Sequence, residues 1–316
     1  MFRIFSGKET MDQPRYHILV NARSGMAGQM GREKIETIIK GSDLGLESFD
    51  ILEPEEFYAR IMELMDSPFP ILIGGGDGTI AKGAALHLKQ KKTFGILPFG
   101  TMNLLAQDLG IPLDFQQSLS AHHTTKTVFI DVGLVNDTPF LGCVALGTMP
   151  EAAEFREENR AAPDFMLMPR LTAYVFSQLD KTLQKRIKIT MDGRTRNIKT
   201  GMLIVSNNRY TPDSAQEPFR KDTLQAGVLG VYTVSPHGFL EKIRLLFKIK
   251  SGQWRNDPNV HEARAHQVTV ETGNKTELVS IDGEPVEMAM PLKFTLLPRA
   301  LEIIVPATPE KLAGGA

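Results

Sequence analysis

An N-terminal doubly wound α/β domain followed by a β-sandwich is the fold class this 316-residue sequence predicts. Three observations carry that reading. The first third alternates short apolar runs with amphipathic helix-like segments, the pattern of a mainly parallel sheet with helices on both faces. Three glycine-bearing turns each follow an apolar run and precede a helical one, at the sheet edge where such folds bind ligands. Beyond Thr127 strand-like pieces recur at short intervals, several joined by turn dipeptides such as Asp192-Gly193 and Asp282-Gly283.

In chain order, Tyr16–Val20 reads as a buried strand ending in the turn Asn21–Gly25. Gly31–Lys40 has helical character, with Ile35, Ile38 and Ile39 on one side. Phe49–Leu52 is a second short strand, and Pro54 suits the first turn of a helix that repeats Phe57, Ile61 and Met65 at every fourth position. Phe69–Ile73 is a third strand and runs into Gly74-Gly75-Gly76-Asp77-Gly78-Thr79. Ile80–Lys89 follows as a helix, Thr93–Leu97 as a strand, and Asn103–Leu109 as a helix stopped by Gly110 and Pro112. The later strands are expected at Val128–Val132, Phe140–Leu146, Ile187–Met191, Thr200–Val205, Val228–Val234, Gln267–Glu271, Leu278–Ile281 and Phe294–Leu297. Helices at Met168–Lys185 and His237–Lys250 interrupt them. Residues 14–124 are taken as the first domain and residues 125–298 as the second.

Composition narrows the function. Hydrophobic residues make up 42% and charged residues 23%, the globular range. The 36 basic and 37 acidic side chains nearly cancel, which argues against a nucleic-acid partner. Cys143 is the single cysteine, so no intrachain disulfide forms and a reducing, cytoplasmic setting is the simpler expectation. Met1–Gln13 lacks the features of a signal peptide, and no apolar run approaches the roughly 18–20 residues of a transmembrane segment.

The chemistry concentrates in three segments: Asn21–Gly25, Gly75–Thr79 and Pro98–Asn103. Glycine there lets backbone N–H groups approach an anion, and the following helix N-terminus adds partial positive charge. Ser24, Thr79, Thr101 and Asn103 are further candidate donors to phosphate oxygens. One such turn alone reads as a plain strand-to-helix corner; three at matching sheet edges read as a phosphate cradle. Other motifs fail. Gly76–Ala81 fits a loose dinucleotide fingerprint, but no acidic residue follows about 20 positions later. There is no G-x-x-x-x-G-K-[ST] loop. His261 and His266 stand five apart instead of four and would face different sides of a helix, so a metal site there is not expected.

The strings Gly75-Gly76-Asp77-Gly78-Thr79, Leu97-Pro98-Phe99-Gly100-Thr101-Met102-Asn103 and Ile281-Asp282-Gly283-Glu284 resemble the diacylglycerol kinase catalytic family. That family includes sphingosine kinases and bacterial lipid kinases and is distantly related to NAD kinases. The resemblance implies a nucleotide-binding α/β domain, a β-sandwich substrate domain and an active site in the cleft between them, with residues 299–308 returning to the first domain. It implies ATP as phosphate donor, held by Asn21, Ser24, Gly25, Gly75, Gly76, Asp77, Gly78, Thr79, Gly100, Thr101 and Asn103. Asp282 matches the catalytic base, and Asp77 and Glu284 match positions linked to Mg2+. The acceptor would be a lipid met at the membrane surface, giving a cytoplasmic enzyme peripheral to the inner membrane, with a homodimer left open. Taken locally, Asp282-Gly283 reads first as a hairpin turn.

Departures fall mostly in the substrate half. Ala81-Lys82 stands where the family often has Asn-Glu, and Ala226-Gly227-Val228-Leu229 lacks the carboxylate that holds a structural metal in many members. Two alternatives follow: a kinase of a soluble molecule, and a nucleotide-binding regulator with reduced catalysis. Phe239–Lys250 interleaves apolar residues with Lys242, Arg244, Lys248 and Lys250. That pattern suits either a lipid interface or a helix packed on the sandwich with its lysines in water.

Overall fold

The computed structural model describes residues 14–147, 185–211, 219–235 and 238–307. The helix expected at Met168–Lys185 lies outside them up to its last residue.

Four parallel strands open the chain: β1 (Arg15–Asn21), β2 (Gly45–Leu52), β3 (Ile71–Gly75) and β4 (Phe94–Pro98), in the order β2-β1-β3-β4. The near-continuous apolar runs of β1, β3 and β4 reflect burial on both faces, whereas the edge strand β2 is mostly half-buried. On one face lie α3 (Pro54–Leu64) and α4 (Asp77–Gln90), which bury Phe57, Ile61, Ile80 and Ala84 against Leu19, Ile73 and Ile96. On the other lie α1 (Gly25–Met30), α2 (Arg32–Lys40) and α6 (Phe115–Ala121), with Ile35, Ile39, Phe115 and Leu119 against Ile18, Val20, Leu72 and Leu97. Side chains of β1 thus alternate between the two cores, as a strand requires. Burying Phe57 and Ile61 contributes roughly 1.5–3 kcal/mol each. The short α5 (Leu104–Asp108) follows β4.

The second half supplies β5 (Thr125–Val135), β6 (Thr138–Phe140), β7 (Cys143–Gly147), β8 (Lys185–Met191), β9 (Arg194–Thr200), β10 (Met202–Asn207), β11 (Leu229–Val234), α7 (Phe239–Lys250), β12 (Val260–Ala265), β13 (Val268–Glu271), β14 (Thr276–Ile281), β15 (Glu284–Ala289) and β16 (Leu292–Pro306). Six form an antiparallel sheet, β12-β11-β10-β7-β14-β15, facing β16-β13-β8-β9. Val144, Val205, Val231 and Val279 from one sheet meet Ile187, Val268, Val270 and Phe294 from the other. The architecture is α/β followed by a β-sandwich.

One strand links the halves. The start of β16 pairs with β13 through Leu292–Phe294, while Ile303 and Ile304 run parallel to Phe94 and Gly95 of β4. Between those ends β16 stays antiparallel to β5, from Phe294–Val135 to Pro306–Thr125, with one irregularity between Leu297 and Leu301. Buried Asp131 accepts the Arg299 N–H there at 2.8 Å, so the break leaves that donor satisfied.

Two expectations change. The strand read at Phe140–Leu146 is interrupted at Leu141–Gly142, whose N–H groups serve a carboxylate instead of a ladder. The His261–His266 segment is mostly strand β12, so helical spacing does not apply to it.

Candidate active site

The three turns meet at the C-terminal edge of the parallel strands. Asn21, buried at the end of β1, donates from Nδ2 to Thr79 Oγ1 at 2.9 Å, tying the first turn to the second. The second and third touch through glycine. A Cβ on Gly100 would stand 2.6 Å from the Gly76 Cα, a clash between backbones that nothing flexible relieves. A Cβ on Gly25 would stand 3.7 Å from Thr101 Oγ1, which brings the first turn to the third. Gly76 is the N-cap of α4 and provides no side-chain cap, so the first-turn N–H groups of a fourteen-residue helix face this junction.

The expected side-chain donors divide. Ser24 is buried and gives its hydroxyl to the Asn21 carbonyl at 2.7 Å. Asn103, with φ 49°, closes the third turn by accepting from Gly100 N and donating to Gly100 O, both at 2.7 Å. These two shape the turns instead of pointing outward. The phenol of Tyr58 bonds Thr79, and burial together with Glu284 pushes that phenol up to about 12. Thr101 is exposed.

Asp77 opens α4, but its Oδ1 accepts the Leu104 N–H at 2.7 Å and so caps α5. Burial raises its pKa against the pull of backbone N–H groups from Leu104, Leu105 and Asn103.

The β14–β15 hairpin brings the remaining carboxylates. Asp282 and Gly283 both have positive φ, 49° and 89°, and form its two-residue turn between the paired Ile281 and Glu284. Glu284 reaches the helix: a Cβ on Gly78 would lie 2.7 Å from Glu284 Oε1, while Oε2 is 2.8 Å from Lys82 Nζ. Asp282 turns into a nest of three N–H groups. Its Oδ1 accepts from Gly142 at 2.8 Å and Cys143 at 2.9 Å, and its Oδ2 accepts from Leu141 at 2.8 Å. Gly142 is required here, because a Cβ would stand 2.8 Å from Oδ1. Burial raises the Asp282 pKa, opposed by those N–H bonds and by Lys221. The same burial, reinforced by the charge of Asp282, raises the Cys143 thiol.

Sequence reasoning missed Lys221. It is buried, and its Nζ donates to the carbonyls of Leu141 at 2.6 Å and Gly142 at 3.1 Å, behind the Asp282 nest. A Lys-Asp pair outside any periodic segment carries no sequence signal.

The donor set fits a magnesium ion that arrives on a triphosphate. No group of three or more His, Cys, Asp or Glu side chains among the described residues could hold a metal by itself. A Mg2+ bound mainly through phosphate and water needs only one or two hard oxygen ligands, and Glu284 offers one beside the α4 N-terminus. At the position of the family's structural metal, the Ala226 and Gly227 N–H groups donate to Asn208 Oδ1 at 3.0 Å and Asp131 Oδ2 at 2.7 Å.

Helix α7 buries only part of its apolar set. Leu245 is buried and Ile249 packs with it against Tyr210, Tyr232 and Trp254, whereas Leu240 and Phe247 are 81% and 70% exposed. Arg244 is held by buried Asp257 at 2.8 Å. Among the described residues no helix is long and apolar enough to cross a membrane.

The comparisons agree with this architecture. Residues 15–135 match the diacylglycerol kinase catalytic domain, and residues 153–305 match the YegS C-terminal NAD kinase beta sandwich-like domain. A diacylglycerol kinase of Bacillus subtilis (strain 168) is 25% identical over 250 residues, covering 75% of this chain and 77% of that protein. An uncharacterized Synechocystis protein, sll0036, is 23% identical over 243 residues; the match covers 75% of this chain but only 54% of that longer relative. A crystal structure of a diacylglycerol kinase from Bacillus anthracis str. Sterne superposes with a TM-score of 0.63 at 18% identity, covering 93% of this chain and 97% of that one, a likeness of fold. With both domain models matched in order, the chain belongs to the diacylglycerol kinase catalytic-domain family of lipid kinases.

Proposed function

We propose that this protein transfers the γ-phosphate of ATP to the hydroxyl of a lipid alcohol such as diacylglycerol. One observation carries the reading: a single hairpin of the sandwich lays Glu284 against the first turn of α4 at Gly78 and holds Asp282 two residues away. The α4 N-terminus and the Gly76–Gly100 contact cradle the triphosphate, with Asn21, Ser24, Gly25, Gly75, Asp77, Thr79, Thr101 and Asn103 building the cradle. Asp282 accepts the acceptor's hydroxyl proton as the oxygen bonds to the γ-phosphorus. The bond from that phosphorus to the bridging oxygen breaks, and ADP leaves. Glu284 and Asp77 would hold Mg2+, which neutralises phosphate charge when bound.

ATP consumption measured against a lipid extract and, separately, a pool of soluble metabolites tests the acceptor class. Turnover with the lipid extract alone is expected. Turnover only with the soluble pool would replace the lipid by a small-molecule acceptor, and none with either would favour a regulator. The lipid is met at a membrane surface, where exposed Leu240 and Phe247 on α7 provide apolar contact and the neighbouring lysines provide charge. Co-sedimentation should therefore rise with anionic lipid content; equal binding to neutral and anionic vesicles would count against that surface.

A further inference from the structure

We propose that Lys221 is a positioning residue that selects which oxygen of Asp282 receives the substrate proton, acting through two peptide units of the Leu141–Cys143 turn. The inference rests on the reading of Asp282 as the base.

The argument is in the connectivity. The Leu141 carbonyl and the Gly142 N–H belong to one peptide unit, and the Gly142 carbonyl and the Cys143 N–H belong to the next. Lys221 Nζ bonds the carbonyl end of both units, at 2.6 and 3.1 Å. The N–H ends of the same two units both donate to Asp282 Oδ1, at 2.8 and 2.9 Å. A cation on an amide carbonyl polarises the amide and strengthens its N–H as a donor, so the charge of Lys221 is passed to Oδ1 without contact. The third N–H of the nest, from Leu141, goes to Oδ2 at 2.8 Å and belongs to the peptide of Phe140, whose carbonyl Lys221 does not bond. A carboxylate has about four lone-pair sites. Among the described residues two strengthened bonds fill Oδ1, while Oδ2 takes one ordinary bond and so has a lone pair left for a proton. Oδ2 is the proton acceptor.

Lys221 is placed to do this reliably. Its own N–H is fixed by Asp108 Oδ1 at 2.8 Å, and Tyr210 bridges to it across the backbone. Burial lowers its pKa, while Asp108, Asp282, Cys143 and Asp131 all push it back up toward the charged form. The turn does not need Lys221 to survive. Asn207 donates its N–H to the Gly142 carbonyl at 3.0 Å and its Nδ2 to the Leu141 carbonyl at 3.3 Å, so neither carbonyl is left unbonded when the ammonium is removed.

The test reads the resting protein first. In ¹H–¹⁵N spectra of perdeuterated protein, Lys221→Met should move the Gly142 and Cys143 amide protons upfield and leave Leu141 nearly in place. All three moving together, or none moving, would overturn the proposal. If Lys221→Met does not melt cooperatively, Lys221→Gln keeps a neutral donor, removes the charge and gives the same readout. With ATP and diacylglycerol micelles, Lys221→Met should lower kcat on the order of 10–100-fold, with KM for ATP within about twofold. In the Asp282→Asn background the same change should cost less than about threefold. Equal losses in both backgrounds would make Lys221 merely structural. Full turnover by Asp282→Asn alone would instead strike the base assignment, an outcome separate from the amide shifts.

Discussion

Asp282 is at once a hairpin residue and a candidate base, and the two descriptions do not compete. Its positive φ serves the β14–β15 turn, and that same backbone twist aims its carboxylate into the N–H groups of Leu141, Gly142 and Cys143. Asp282→Asn should lower kcat by roughly 10²–10⁴-fold, the range for losing a general base, while a fluorescent ATP analogue binds within about twofold of wild type. The glycines make a complementary prediction. Gly100→Ala sets a Cβ 2.6 Å from the Gly76 Cα and forces the two turns apart, so ATP affinity should fall at least about tenfold in the same titration. At this scale the turn glycines were legible in the sequence, because few residue types tolerate such corners. Ser24 and Asn103 were read as outward donors because their partners, the Asn21 carbonyl and the Gly100 backbone, are fixed only by the turn geometry. Asp282 was legible through family likeness alone, since Asp-Gly is also an ordinary turn.

Helix α4 shows how one element carries chemistry at one end and stability at the other. Its first turn faces the cradle, and its last turns bury His87, whose Nδ1 bonds the Gly83 carbonyl at 2.8 Å and whose ring leans on Phe94. Burial lowers the His87 pKa to about 4 from 6.5. The unfolded chain therefore binds the extra proton between those values. Stability present above pH 6.5 drains away as pH falls toward 4, by up to about 3 kcal/mol. Buried His17 and His122, also lowered, act in the same direction, whereas the raised carboxyls of Asp77 and Asp282 oppose them. Denaturant titrations across that window should show a shallower acid loss in His87→Leu than in the parent; an unchanged slope would remove His87 as a cause. Helices α2 and α3 were legible because each repeats apolar residues at helical spacing, and Pro54 marks the first turn of α3. Strand β12 was not, because Val260–Ala265 carries His, Glu and Arg at its core, and Glu262 is spent on Arg209 and Arg255.

The β5–β16 pair makes the molecule one mechanical object. Ile303 is fully buried in the first sheet, while Trp254, the sole tryptophan, lies in the cluster under α7. Ile303→Ala should destabilise by roughly 2–5 kcal/mol. If the shared strand couples the halves, the Trp254 fluorescence midpoint should fall together with that of far-UV circular dichroism. A Trp254 transition left in place while circular dichroism shifts would show independent halves. The sequence pointed to a strand at Phe294–Leu297, and the family likeness to a separate segment at residues 299–308. It could not show that Asp131, distant in the chain, satisfies the Arg299 N–H and lets one strand run through.

Because Asp282 and Glu284 ride on the same tight turn, the gauge between the two acids is set by three consecutive residues, and a substitution that displaces the hairpin carries both of them together.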